Sequence, residues 1–263
     1  MLLEIVVENN KVQVGIQEGI ATVKINNLSK KNALDNDVII ALVSELSNLD
    51  KNPTVEVILL GGEGDIFCAG GDVKAMKTKT EMFSGDSIEL QKNYEWGIQE
   101  IPRTIERINT PIIAVVNGGA VGAGVDLACM CDMRIGSEES FFSESFAFLA
   151  LVPGDGGTFF LPRVVGYSKA MEMFFTGAKY DSKSALDMGL LNKIVSKETL
   201  WDEAIELAQK VKRNSYQALR LTKKSMKMAY ATSNLETVLD GLSAYQGITQ
   251  NSNDHFERIG IKN

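Results

Sequence analysis

The stretches FCAGGD (residues 67–72) and NGGAVGAG (residues 117–124) decide the fold, and each follows a largely apolar run, at 55–60 and at 112–116. Such runs are typical of strands that are buried on both faces, as in a parallel sheet. Glycine allows a tight turn, a positive φ and a close approach of the backbone to a ligand. Neither stretch matches G-x-G-x-x-G, and G-x-x-x-x-G-K-[ST] occurs nowhere in the chain. Taken singly, each is more typical of a tight turn than of a nucleotide site.

Strands and helices alternate outward from these stretches. Alternating apolar residues predict two antiparallel strands, at 12–16 and 21–25, and apolar residues at helical spacing predict a helix over 34–49. The other predicted elements are a surface loop at 76–87, a strand at 133–135, and helices at 88–109, up to 131, at 168–176, at 182–189 and from residues 201, 215 and 234 onward. We expect an α/β core in residues 1–197 and a helical segment in residues 198–263.

Composition excludes several classes of protein. The 263 residues carry 34 acidic and 27 basic side chains, and the net charge of −7 is the wrong sign for binding a nucleic-acid backbone. The longest apolar run, residues 146–152, is far shorter than the ~18 residues that span a bilayer. The chain has three cysteines, Cys68, Cys129 and Cys131, and an odd number is expected of buried thiols in a reducing compartment. No signal sequence is evident. A cytoplasmic protein without nucleic-acid or membrane partners is expected.

The single histidine, His255, restricts the chemistry further. A Ser/His/Asp or Cys/His nucleophilic system would need this residue, which lies near the C-terminus, to reach the site. A zinc site would lack its usual imidazole ligands. We therefore expect neither kind of site, and we interpret His255 as a solvated residue on the last helix.

The two glycine-rich stretches become specific when they are combined with other motifs along the chain. These are KNAL (31–34), CDMRI (131–135), PGDGGT (153–158), LPR (161–163) and the segment from TG (176–177) to GL (189–190). In this order they resemble the crotonase (enoyl-CoA hydratase/isomerase) superfamily over nearly the whole chain. The resemblance implies an α/β fold, with a crotonase-like core of repeated ββα units in a spiral and a C-terminal helical segment. It also implies an acyl-CoA thioester as substrate, with coenzyme A as part of that substrate and no separate cofactor.

The resemblance also implies an oxyanion hole, in which the backbone N–H groups of Gly71 and Ala123 bind the thioester oxygen. Hydrogen-bond donors that are already in place stabilise the enolate oxygen more than the neutral carbonyl oxygen. This stronger binding of the charged form lowers the barrier of the reaction. The implied CoA-binding residues are Lys30, Lys31, Ala33, Ala69, Gly71 and Asp72. The two lysines would contact the CoA phosphates, unless they are only a solvated pair. Asp72 is expected to brace its loop through backbone hydrogen bonds rather than to transfer protons.

Three carboxyl groups, those of Asp126, Glu144 and Asp155, are candidates for proton transfer. The two glutamates of a typical hydratase in this superfamily correspond to Asp126 and, without a gap, to Phe146, which cannot transfer a proton. Asp126 and Asp155 resemble the pairing in dienoyl-CoA isomerase relatives, and Glu144 lies two residues before Phe146. The structural alternatives are a packing carboxylate for Asp126, an Asx turn for Asp155 and an inter-subunit ion pair for Glu144.

We therefore expect an acyl-CoA enzyme of fatty acid metabolism, a lyase or isomerase, that stabilises a thioester enolate and moves a proton at the α or γ carbon. Without the second glutamate, double-bond isomerisation is favoured slightly over hydration. A catalytically weakened acyl-CoA or acyl-carrier binding protein remains an alternative. So does a C–C bond hydrolase, although such relatives use more than one histidine.

The superfamily usually forms trimers or dimers of trimers through its C-terminal helices, and the same is expected here. Apolar stripes from Trp201 and around Leu239 are consistent with this assembly, but they could equally cover their own domain. We expect the wall of the acyl pocket in residues 76–109.

Overall fold

The strands of the protein form two sheets in a computed structural model, which describes residues 11–261 and the backbone of residues 4–5. The strands are β1 (Glu4–Ile5), β2 (Val12–Gln17), β3 (Ile20–Ile25), β4 (Val57–Gly62), β5 (Ile66–Cys68), β6 (Ile112–Val116), β7 (Gly119–Val121), β8 (Met133–Ser137), β9 (Phe141–Ser143), β10 (Tyr180–Asp181) and β11 (Lys193–Val195). The larger sheet has the order β1-β2-β3-β4-β6-β8-β11, and the smaller has the order β10-β9-β7-β5.

The helices lie between and after these strands. They are α1 (Asn36–Lys51), α2 (Val73–Thr78), α3 (Ser87–Trp96), α4 (Glu100–Arg107), α5 (Ala123–Met130), α6 (Gly157–Val165), α7 (Tyr167–Thr176), α8 (Ser182–Asp187), α9 (Leu200–Lys212), α10 (Tyr216–Ala231), α11 (Leu235–Gln250) and α12 (Asn253–Arg258). Short 3-10 turns lie at Leu28–Lys30, Glu81–Phe83 and Ala147–Leu149. None of the helices in the described residues is both long and apolar enough to cross a membrane.

A repeated strand pair builds both sheets. In the pairs β4/β5, β6/β7 and β8/β9, the first strand enters the larger sheet and the second enters the smaller one, and the neighbouring repeats pair in parallel. Each repeat thus turns from one sheet to the other at a short connection. The first glycine-rich stretch includes the end of β5, and the second encloses β7. Because β5 and β7 are neighbours in the smaller sheet, the two stretches lie next to each other.

The larger sheet is buried on both faces, as the apolar runs predicted. Along β4, Ile58 and Leu60 pack in the main core with α1, α4 and α5, whereas Val57 and Leu59 pack in a second core with α9. The ring of Trp201 on α9 fills the space beside Gly61, where a Cβ would lie 2.8 Å from its Cζ2 atom. The Trp201 stripe therefore covers its own domain.

The helices after α9 differ from it, because no residue of α10, α11 or α12 is buried. Arg220 of α10 anchors this segment through an ion pair of 2.9 Å with Asp50. His255 lies on the last helix, α12, as predicted, but it is half-buried rather than solvated. The division into residues 1–197 and 198–263 stays a prediction, although α9 packs as part of the α/β core.

Several local predictions need correction. The helix predicted over 88–109 is two helices, α3 and α4, which are separated at Gly97. The predicted surface loop at 76–87 contains the end of α2 and a 3-10 turn. The strands of the smaller sheet were missed because each has only two or three residues. The three cysteines are free and buried, as predicted.

Candidate active site

The loops at 67–72 and 117–124, called here the first and second glycine loops, lie side by side because β5 and β7 pair in parallel. Their contact is close, since a Cβ on Gly70 would lie 2.4 Å from the carbonyl oxygen of Val121 and 3.3 Å from the nitrogen of Ala123. Gly70 also has a φ of +81°. Both packing and backbone conformation therefore require glycine at this position.

Two backbone N–H groups, of Gly71 and Ala123, have no hydrogen-bond acceptor within the described part of the chain. Ala123 is the first residue of α5, where N–H groups lack an acceptor in the helix and the helix dipole adds a positive potential. Both residues line the same cavity, which has a volume of about 190 Å³. Neither N–H group is used within the described residues, so both are available to an acceptor that enters the cavity.

Three buried carboxyl groups, of Asp126, Glu144 and Asp155, form what we call the carboxyl cluster. Their exposed fractions are 0%, 0% and 3%. None of their oxygens accepts a hydrogen bond from an amide, hydroxyl or cationic group of the described residues. Asp126 lies in the first turn of α5, Glu144 directly follows β9, and Asp155 precedes α6 and lines the cavity. An unpaired carboxylate is costly to bury, so the cluster favours protonated carboxyl groups.

Burial raises the pKa of every member of the carboxyl cluster. The pKa of Asp126 is raised well above its ordinary value, first by burial and then by the charges of Asp155 and Glu144. Burial raises the pKa of Glu144 to about 8, and it raises the pKa of Asp155 as well. The charges of the other two carboxyls oppose ionisation of Asp126, so ionisation of one member of the cluster disfavours ionisation of the others. The cluster can therefore hold and exchange protons near neutral pH.

The surroundings of these three carboxyls do not fit the purely structural roles that the sequence left open for them. Asp155 forms no Asx turn, since its oxygens accept no hydrogen bond from the N–H groups that follow it within the described residues. Glu144 is enclosed within its own chain and is not a surface group that could pair with another subunit. Asp126 accepts no helix-capping hydrogen bond. Unpaired buried groups of this kind are a common feature of functional sites.

The residues predicted to bind CoA lie around the first glycine loop. Asp72 braces the loop as predicted, because its carboxylate accepts hydrogen bonds from the nitrogens of Lys74 at 2.8 Å and Ala75 at 3.1 Å. Ala69 lines the cavity, and its N–H donates to the carbonyl oxygen of Lys31. Ala33 is buried behind the loop. The side chain of Lys31 is exposed, whereas Lys30 is held by carboxylates.

The site lies in sequence that the chain shares with known proteins. The family model described as enoyl-CoA hydratase/isomerase matches residues 15–260. The chain belongs to the enoyl-CoA hydratase/isomerase family. A peroxisomal Delta(3,5)-Delta(2,4)-dienoyl-CoA isomerase from Arabidopsis thaliana is 36% identical over 187 residues, which cover 69% of this chain and 67% of that protein. Crotonyl-CoA hydratase from Syntrophomonas wolfei is 32% identical over 225 residues, which cover 85% of this chain and 82% of that protein.

Solved structures agree with this assignment. The crystal structure of an enoyl-CoA hydratase from Bacillus anthracis matches with a TM-score of 0.87 and 27% identity, covering 95% of this chain and 94% of that one. The predicted superfamily and the crotonase-like α/β fold are therefore confirmed. The protein is an enzyme of the enoyl-CoA hydratase/isomerase type.

The cavity of this hydratase/isomerase family member has two apolar walls. One comes from residues 76–109, as predicted, and includes Met82, Phe83 and Tyr94. The other, from residues 145–151, was missed, and it includes Phe146 and Leu149. The signal was present in the sequence, because this segment overlaps the longest apolar run of the chain, residues 146–152.

Phe146, which the sequence resemblance matches without a gap to the second glutamate of a typical hydratase, lies in this wall. A Cβ on Gly122 would lie 3.6 Å from the Phe146 ring, so the ring borders the second glycine loop. Glu144 lies beyond the end of β9 and joins the carboxyl cluster instead. The cavity wall therefore has an apolar ring at Phe146, whereas the nearby carboxyl group of Glu144 belongs to the carboxyl cluster.

Gly157 leaves room for the carboxyl group of Asp126. A Cβ at this position would lie 2.1 Å from Oδ1 of Asp126 and 2.4 Å from its Cγ. We expect Gly157→Ala to displace the carboxyl, to lower kcat and to destabilise the fold by about 1–3 kcal/mol, the usual cost of overpacking. Urea unfolding and steady-state kinetics check this expectation. Gly247→Ala is the matched control, because a Cβ there meets nothing within 4 Å. Equal stability and turnover in both variants would contradict the placement of Asp126.

Glu144 gives the fold a pH-dependent stability. Its pKa is raised from 4.5 to about 8, so the folded state holds a proton that the unfolded state releases. The stabilisation is present below pH 4.5 and is lost as the pH rises through about 8, with a slope of up to about 1.4 kcal/mol per pH unit. We expect Glu144→Gln to flatten the fall in stability between these pH values, as measured by urea unfolding at several pH values. Identical slopes in the variant and the parent would contradict the raised pKa.

Proposed function

We propose that this enzyme isomerises double bonds in an acyl-CoA thioester, with the carboxyl cluster as the proton carrier. The observation that carries the proposal is the carboxyl cluster itself: three buried carboxyls, one of them in the cavity wall, without donors that would fix them as carboxylates. Phe146 at the second glutamate position removes a water ligand that hydration would use. An apolar cavity also disfavours a charged or strongly hydrated nucleophile.

The proposed reaction starts with loss of a proton from the α carbon of the thioester. A carboxylate of the cluster accepts this proton, and Asp155 is the member that reaches the cavity wall. The electron pair of the broken C–H bond moves into the carbonyl to give an enolate, whose oxygen accepts hydrogen bonds from the N–H groups of Gly71 and Ala123. A protonated member of the cluster then donates a proton to the far end of the conjugated system. The double bonds shift by one position, and no atom is gained or lost overall.

The relationship with the Arabidopsis thaliana protein supports this direction, because that protein is named a dienoyl-CoA isomerase and is 36% identical to this chain. The Syntrophomonas wolfei relative is named a hydratase and is 32% identical. The identities alone do not separate the two reactions, and the choice rests on the carboxyl cluster. We further propose that CoA enters as part of the substrate and that no other cofactor takes part.

An unbiased panel of acyl-CoA esters tests the proposal. The enzyme is incubated in D₂O with 2-enoyl, 3-enoyl and 3,5-dienoyl thioesters, and the products are analysed by mass spectrometry and absorbance. Isomerisation gives a product with a shifted double bond and deuterium at the carbon that receives the proton. A product that has gained one water would support hydration instead, and a shortened acyl group would support C–C hydrolysis. Binding of esters without turnover of any would support the weakened binding protein.

We propose that the protein assembles as a trimer or a dimer of trimers through α10, α11 and α12. These helices have no buried residue in the isolated chain, yet their side chains include exposed apolar groups. The exposed groups are Met226, Tyr230, Leu235, Leu239, Leu242 and Ile248. Light scattering on the purified protein tests this assembly. We also retain a cytoplasmic location and a role in fatty acid metabolism as proposals, and the buried thiols support a reducing compartment.

A further inference from the structure

Lys30 lies at the meeting point of three segments, and its ammonium group pairs with a carboxylate from each. Its Nζ atom is 3.0 Å from Oδ2 of Asp35, 2.9 Å from Oδ2 of Asp72 and 3.3 Å from Oε1 of Glu81. The pair with Asp72 is the main cause of a raised pKa at Lys30. The ammonium group donates hydrogen bonds to Asp35 and Glu81 and forms an ion pair with Asp72. We call these four residues the Lys30 cluster.

Each carboxylate of the Lys30 cluster is attached to a different part of the site. Asp35 caps the start of α1, which packs in the main core. Asp72 directly follows Gly71 and caps α2. Glu81 begins the 3-10 turn whose next residue, Met82, lines the cavity. One cation therefore connects a core helix, the first glycine loop and a wall of the cavity.

The parts joined by Lys30 also pack against one another at Gly71. A Cβ on Gly71 would lie 2.7 Å from the methyl carbon of Met76 on α2 and 3.5 Å from the ring of Phe83 in the 3-10 turn. The N–H of Gly71 has no acceptor in the described residues. A shift of α2 or of the turn would therefore move this N–H group.

We propose that Lys30 is a positioning residue for the reaction: it holds the N–H of Gly71 at the thioester oxygen and holds the turn at Glu81–Phe83 against the cavity. This inference rests on the proposed function. Without this cation, Asp72 and Glu81 would have no ion pair among the described residues, whereas Asp35 would keep one with Lys11 at 3.6 Å. Lys31 differs, because its exposed side chain forms no ion pair with the described residues and is free to contact CoA phosphates. The two neighbouring lysines thus have separate roles.

Two substrates with the same acyl group separate these roles: the CoA ester and the pantetheine ester, which lacks all the phosphates of CoA. We expect Lys30→Met to lower kcat on both esters by about tenfold to a hundredfold, as a misplaced catalytic group does. We expect Lys31→Met to raise KM for the CoA ester and to leave the pantetheine ester unaffected. A Lys30→Met variant that raised KM for the CoA ester alone would overturn the proposal, and so would one with unchanged kcat on both.

Further variants and a second measurement keep the test decisive. Lys30→Arg retains the positive charge and should recover part of the kcat that Lys30→Met loses. If Lys30 only stabilised the fold, Lys30→Met and Lys30→Arg would both show a lowered Tm. If Lys30→Met does not fold, Glu81→Gln removes one ion pair only and should lower kcat on both esters to a smaller extent. Unchanged kcat in a folded Glu81→Gln variant would then overturn the proposal.

The infrared carbonyl band of a bound acyl-CoA does not depend on turnover. It should shift to lower frequency in the parent and lose part of that shift in the folded Lys30 or Glu81 variant. Loss of the shift in a protein that turns over no ester would reject the proposed function and keep the positioning role. An unchanged shift in the variant would reject the positioning role.

Discussion

Asp155→Asn should reduce kcat by about 10²–10⁴-fold and leave the binding of acyl-CoA esters nearly unchanged. Asp155 is the member of the carboxyl cluster that lines the cavity, and its two oxygens accept no hydrogen bond from an amide, hydroxyl or cationic group of the described residues. Asparagine has almost the same shape but cannot accept and return a proton at this site. Steady-state kinetics measures the loss, and calorimetric titration with an acyl-CoA measures binding.

Asp187→Asn is the matched control for this substitution, because Asp187 is exposed on α8. We expect the control to keep the turnover of the parent. The stability of Asp155→Asn should not fall at neutral pH, since burial raises the pKa of this carboxyl and the amide avoids the cost of a buried charge. A variant that keeps full turnover would exclude Asp155 as a proton carrier. A parent that binds esters but turns over none would favour the binding protein.

The sequence was sufficient to predict the long, regular elements. The antiparallel pair β2–β3 was predicted, and its turn has φ values of +50° at Glu18 and +79° at Gly19; β6 has the predicted bounds. These elements have enough residues for an apolar period or an unbroken apolar run to be visible. The smaller sheet was missed, because strands as short as β7 carry no period and this one lies within the glycine-rich stretch.

The candidate site could be predicted only in part, because its chemistry depends on contacts between distant segments. Motifs pointed to Gly71, Ala123, Asp126 and Asp155, but the burial of Glu144 beside Asp126 follows from where β9 ends and could not be read from spacing. The carboxyl cluster brings together Asp126 of α5 with Glu144 and Asp155, which both lie in the segment between β9 and α6. Its raised pKa values depend on that shared burial.

The role of Lys30 illustrates the same limit. Next to Lys31 in the sequence, it suggested a pair of phosphate ligands. Its partner Glu81 is 51 positions away, in a segment that was predicted to be an irregular loop. Only the fold shows that Lys30 faces carboxylates and that Lys31 is exposed.

Removal of the backbone N–H group of Ala123 is also expected to lower kcat strongly. Ala123 is the first residue of α5, a position where proline is well tolerated because the missing N–H has no partner in the helix. Ala123→Pro should therefore keep the fold and reduce kcat by about 10²–10³-fold, the usual effect of removing one oxyanion donor. Ala123→Gly keeps the N–H and adds no atom, and it should retain most of the turnover.

The carbonyl frequency of a bound acyl-CoA thioester tests most directly whether the backbone amides of the two glycine loops polarise that carbonyl. Infrared difference spectra of the parent, Ala123→Gly and Ala123→Pro are compared at saturating ligand, with Tm measured for each. We expect a clear shift to lower frequency in the parent and in Ala123→Gly, and a much smaller shift in a folded Ala123→Pro that still binds the ester. The same shift in all three proteins would contradict the account.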